Sequence, residues 1–143
     1  MSYVQPQDFT RAMIDAGAKK VHMSTRDTLI RGFMAGAILA LAAAFAVTVT
    51  VQTGSALLGA VLFPVGFILL YLLGFDLLTG VFTLVPLALL DKRRGVTVGG
   101  MLRNWGLVFV GNFAGALTVA VLMAISFTFG FSQIGRASCR ERV

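Results

Sequence analysis

A helical membrane protein with three spanning segments, the second of them broken at mid-membrane, is the fold class this sequence predicts, and three observations predict it. The first is composition. Of 143 residues, 57% are hydrophobic and only 13% charged, with a mean hydropathy of +0.88, whereas a soluble domain carries about 25% charged residues. The second is residues 55–91, SALLGAVLFPVGFILLYLLGFDLLTGVFTLVPLALLD, in which Asp76 is the one charge before the closing Asp91. A continuous helix of that length would run roughly 54 Å against a hydrocarbon core of roughly 30 Å, so one straight span does not fit. The third is charge placement. Arg11, Lys19, Lys20 and Arg26 precede the first apolar run and Lys92, Arg93, Arg94 and Arg103 follow the second, while the turn at 52–54 has none. By the positive-inside rule this sets the N-terminus in the cytoplasm, with the chain passing several times through the cell inner (plasma) membrane.

The segment 1–28 reads as a cytoplasmic N-terminal region with a short helix over 6–20. Phe9, Met13 and Ala16 fall on one side of it and Arg11, Asp15 and Lys19 on others, which suits a helix lying on the membrane surface. Ser24 and Thr25 before Asp27 offer capping oxygens for the first span, 29–51. Its Gly32-x-x-x-Gly36 and Ala40 make a close-packing face of the kind helices use against each other in lipid. Gln52-Thr53-Gly54 forms a short uncharged turn. The second span divides into an outer half, 55–73, which Pro64 can bend, and an inner half, 77–90. Residues 96–103, with the adjacent Gly99 and Gly100, read as a loop or surface helix. A third span then runs over 104–130, with Trp105 at its edge and a second small-residue motif, Gly111-x-x-x-Gly115. The transmembrane unit is thus 29–133.

The break itself is expected at Gly74 to Thr79. Gly74 can leave helical geometry, and Asp76 beside it is a carboxylate that is expensive to bury in lipid. Backbone that is not helical at membrane depth is tolerated only where protein shields it or where it lines a watery cavity, so a broken helix points to a permeation site. Other classes are disfavoured. The formal charge of +6 lies in the flanks of apolar runs and is not interleaved with aromatics, which argues against nucleic acid. There is no HExxH, no Ser/His/Asp set and no metal-ligand cluster, so neither an enzyme nor a cofactor is expected. Cys139 is the one cysteine, which excludes an internal disulfide.

Phe63-x-x-Gly66, then Gly74-Phe75-Asp76-Leu77-Leu78-Thr79-Gly80, then Asn104-Trp105 and Gly111-Asn112-Phe113-Ala114-Gly115-Ala116-Leu117 resemble the formate/nitrite transporter family in order and spacing, over roughly residues 6–130. The resemblance implies an aquaporin-like half repeat of three transmembrane helices, within homopentamers of six-helix protomers. Each protomer would carry its own pore for small monovalent anions such as formate and nitrite, with protons as a further candidate partner. It also assigns roles. Phe63 falls on the outer aromatic constriction, with Phe67 nearby where other members often carry leucine. Leu77 falls on the inner apolar constriction, Leu78 beside it where phenylalanine is frequent, and Thr79 next to the central site. Gly74, Asp76 and Gly80 are structural at the broken helix, Gly80 standing where serine or asparagine is common. Asp76 is expected to anchor the loop by accepting backbone N–H bonds. The family's pore histidine and outer-path lysine belong to a second three-helix half, so the chain is expected to be the N-terminal half of a transporter. The stretch 134–143, IGRASCRERV, resembles a translated sequencing adapter and is set aside as an artefactual tail. A non-conducting membrane scaffold or assembly subunit is the alternative from a different class.

Overall fold

The structure, a computed structural model, describes residues 5–126, and these form six α-helices in chain order. The end of the expected third span and the stretch 134–143 lie outside the described residues. The first helix, α1 (Pro6–His22), starts on a proline at its first position, where the missing N–H costs nothing. The next, α2 (Thr25–Thr53), is capped as the sequence suggests. Ser24 accepts from the Asp27 N–H at 3.1 Å and donates its own hydroxyl to the Asp27 carboxylate at 2.7 Å. Gly54, left-handed at φ 68°, ends it.

Pro64 does more than bend the outer half of the second span. It divides it into α3 (Ala56–Leu62) and α4 (Val65–Leu73), because proline has no N–H to continue the helical ladder. Together they make an 18-residue apolar stretch. The inner half is α5 (Leu78–Leu90), and α6 (Val98–Ser126) is the last described helix. Here the expected boundary was wrong. Residues 98–103 are the first turns of the spanning helix itself and not a separate loop or surface helix, since Thr97 caps them by accepting the Gly100 N–H at 3.1 Å. Helices α2, α3 with α4, and α6 are each long and apolar enough to cross a membrane, and α5 is a shorter apolar helix.

The frame is the pair α2 and α6, joined through the two small-residue motifs. A side chain at Gly36 would collide with the Asn112 backbone and one at Gly115 with the Phe33 carbonyl, so the helices touch main chain to main chain. Helices α3 and α4 pack on α2, while α5 packs on α6 and on α1. Between α5 and α6, Trp105 donates its ring N–H to the Val81 carbonyl at 3.2 Å and meets Phe82 edge to face at 4.6 Å. The core at this junction is Val81, Val85, Ala88 and Val108, closed by Val21 of α1.

Helix α1 is therefore docked on protein, which the sequence did not anticipate. Its buried face is Gly17 and Val21, with Gly17 against the Leu84 carbonyl. Phe9, at the head of the expected apolar stripe, is 57% exposed. Asn104 fastens the same contact from α6, donating to the Lys20 carbonyl at 3.0 Å.

Candidate functional site

Helix α4 stops at Gly74, which is left-handed at φ 68° and ψ 28°. The Phe75 N–H reaches back to the Leu70 carbonyl at 3.1 Å and the Gly74 N–H to the Tyr71 carbonyl at 3.2 Å, a Schellman closure that satisfies the last carbonyls of α4. Residues 75–77 are not helical, and α5 restarts at Leu78 behind an extended Leu77 (φ −94°, ψ 139°). The break thus falls where the sequence puts it.

What holds it open differs from expectation. The side chain of Asn112, on α6 between the glycines of its packing motif, accepts the Leu78 N–H at 3.0 Å. The same amide donates to the Asp76 carbonyl at 2.9 Å and to the Gly32 carbonyl of α2 at 2.8 Å. One amide therefore ties both edges of the break to the α2–α6 frame. Arg31 of α2 adds a bond to the Gly74 carbonyl at 3.1 Å. The Asp76 carboxylate, expected to accept backbone N–H groups, instead pairs through Oδ1 with the Lys20 ammonium of α1. Asp76 is 2% exposed, and its Oδ2 has no partner among the described residues. A carboxylate so buried requires a cation, and α1 is docked so as to bring one.

The break opens onto a cavity of about 360 Å³ between α1, α4 and α5. Six of the eight residues singled out from sequence line it: Phe67, Gly74, Asp76, Leu77, Thr79 and Gly80. Phe63 stands behind Phe67, ring to ring edge-on at 5.5 Å, and borders a separate hollow between α2 and α3. Leu78 turns the other way, packing half-buried on the Val81, Val85 and Val108 core. The remaining wall includes Lys20, whose charge sequence reading treated only as a topology signal.

Thr79 carries the polar chemistry of this cavity. Thr28, Thr48, Thr50, Thr83 and Thr118 all return their hydroxyls to the carbonyl four residues earlier. Thr79 does not, and no partner is recorded for its hydroxyl or its N–H among the described residues. The reason is position. Thr79 is the second residue of α5, so the carbonyl four back belongs to Phe75 inside the break, and Leu77 ahead of it has no capping side chain. The site thus combines a free hydroxyl and a free helix N-terminal N–H at the positive end of the α5 dipole, set among apolar walls from Phe67, Leu70, Leu77 and Leu84, with the charge-balanced Lys20–Asp76 pair beside them. Hydrogen-bond donors at a helix N-terminus suit a small anion.

Lys20 and Asn112 are the residues that sequence reading missed. Each left a signal: a carboxylate in an apolar run calls for a cation, and an amide in the middle of an apolar helix calls for bonds across helices.

Among known proteins, residues 7–141 match the formate/nitrite transporter family model, a match that runs into the stretch set aside as a tail. An uncharacterized transporter of Bacillus subtilis, YrhG, is 36% identical over 126 residues, covering 84% of this chain and 47% of the relative. The formate channel BtFdhC of Bacillus thuringiensis is 34% identical over 128 residues, covering 84% of this chain and 48% of its own length. For the formate channel FocA of Escherichia coli (strain K12) the figures are 31% over 128 residues, 85% and 44%. The chain spans about half the length of these curated relatives. No solved structure matches the chain.

Proposed function

This chain belongs to the formate/nitrite transporter family, and from that premise we propose that it builds one half of a pore for small monovalent anions such as formate or nitrite. The observation that carries the reading is Thr79, with a free hydroxyl and free N–H at the uncapped start of α5, opening onto the cavity between Phe67 and Leu77. An anion leaving water for an apolar constriction loses hydration, and donors fixed at that point replace part of it. Weakly hydrated anions, and anions neutralised by a proton, pass such a constriction more readily than chloride. Two relatives named as formate channels support the substrate class, and neither they nor the family support a scaffold role.

The finer arrangement in this proposal is as follows. The cavity is one wall of the pore, Phe67 backed by Phe63 forms its outer aromatic constriction, and Leu77 borders its inner one, with Leu78 packed behind it on the core. A second three-helix half in inverted, aquaporin-like relation closes the pore. Five such protomers assemble, each conducting by itself, in the inner membrane with α1 on the cytoplasmic side. The charge asymmetry around the spans supports that orientation. Proteoliposomes holding the full-length transporter test the proposal: saturable uptake of formate or nitrite is expected, and no flux of either from correctly inserted protein would overturn it.

A further inference from the structure

The turn between α5 and α6 folds against the end of α1, and the two border a shallow, open cavity of about 850 Å³. Four cations line it, Lys19 of α1 and Lys92, Arg93 and Arg94 of the turn, together with His22. Two carboxylates face them, Asp15 and Asp91, and both are engaged by Arg93, at 2.8 Å and 2.9 Å. Arg93 is therefore the brace that fixes the turn to α1. His22 completes the joint, donating from Nε2 to the Arg94 carbonyl at 3.2 Å, over Gly95, where any side chain would strike the ring. What remains is an uncompensated set: no ion pair is recorded for Lys19, Lys92 or Arg94 among the described residues.

The backbone here is unusual as well as the charge. Lys92 lies at φ 54°, a left-handed conformation uncommon for a residue with a side chain, and is held there by the tight closure of α5. The cavity also sits at the end of the apolar stretch. Leu90, just before the turn, is 78% exposed, and Val98, just after it, is also exposed. Cationic groups thus meet apolar side chains at the boundary where a phospholipid places its phosphate above its acyl chains.

We propose that this cavity binds the phosphate headgroup of an anionic membrane phospholipid, with Lys19, Lys92 and Arg94 contacting the phosphate and the acyl chains lying along the apolar ends of α5 and α6. The site is separate from the Thr79 cavity, and its occupancy does not require anion permeation. A lipid bound here ties α1 to the membrane boundary through the same turn that Arg93 braces.

The chain's one tryptophan, Trp105, lies two helical turns from the start of α6 and serves as an energy-transfer donor. The full chain in phosphatidylcholine nanodiscs is titrated with dansyl-labelled phosphatidylglycerol and, separately, with dansyl-labelled phosphatidylcholine. Saturable transfer is expected for phosphatidylglycerol only. At about 1 kcal/mol per surface cation, Lys19→Gln with Arg94→Gln raises the half-saturating lipid fraction about thirty-fold. Lys92→Gly, which suits the left-handed backbone and keeps the fold, raises it about fivefold. The charge-preserving pair Lys19→Arg and Arg94→Lys leaves it unchanged. Equal transfer from both lipids, or the same half-saturation in the glutamine pair and in Lys92→Gly, would overturn the proposal. Displacement of the labelled lipid by inorganic phosphate at comparable concentration would overturn the assignment to lipid and identify a free anion as the occupant.

Discussion

Replacing Asn112 by leucine removes three hydrogen bonds, to the Leu78 N–H and to the Asp76 and Gly32 carbonyls, while nearly preserving side-chain volume. Two estimates bracket the cost. Hydrogen bonds between membrane helices contribute about 0.6 kcal/mol each on average, giving about 2 kcal/mol for the three. Leaving the Leu78 N–H and the Asp76 carbonyl unpaired costs about 1–3 kcal/mol each, or up to about 6 kcal/mol. The Gly32 carbonyl adds little to that upper figure, because it still accepts its helical bond. The break borders a cavity, so water can reach the freed groups, and the lower estimate applies. Reversible unfolding of the purified protein in mixed micelles should therefore show a loss of about 2 kcal/mol, with helix content preserved. Formate flux should fall severalfold in the same variant, since Asn112 makes the one hydrogen bond from Leu78 to α6 across the break among the described residues. A loss below about 0.5 kcal/mol with unchanged flux would refute the claim that one amide holds the break.

Three further outcomes follow from the same geometry. Lys20→Met leaves the Asp76 carboxylate buried without a cation and should destabilise by about 3–5 kcal/mol, whereas the double variant Lys20→Met with Asp76→Leu should recover most of that in the same unfolding assay. A side chain at Gly80 meets nothing within 4 Å, so Gly80→Leu should insert and fold normally yet depress formate flux by filling the cavity, as uptake assays would register. Gly36→Val forces α2 off the Asn112 backbone and should cost at least about 1–3 kcal/mol, read as a lowered thermal midpoint in detergent.

Much of this was legible in the sequence because the signals were local. The spans follow from apolar runs, the Ser24 cap from a hydroxyl placed ahead of Asp27, and the break from Gly74 beside Asp76. Gly74 therefore fell where pattern and geometry agree, whereas Asp76 lies in the break but is held by Lys20 and not by backbone N–H groups. Four features were not legible, most of them for a reason of long-range contact. The docking of α1 depends on Gly17 and Val21, and a glycine that lets a helix approach a carbonyl leaves no hydrophobic stripe to detect. The start of α6 was misjudged because Gly99 and Gly100 have low helix propensity, which packing and the Thr97 cap override. The Lys20–Asp76 pair joins residues 56 positions apart, and Leu78 packs on the core formed by α5 and α6; both depend on how helices assemble.

The central claim is that the free Thr79 hydroxyl at the start of α5 meets the permeating anion. Comparing formate flux through the full-length transporter in proteoliposomes for wild type, Thr79→Ser and Thr79→Val tests it most directly, because valine keeps the shape and removes only the hydroxyl. Flux should be preserved with serine and reduced with valine, at equal protein insertion. Wild-type flux and saturation in Thr79→Val would contradict it.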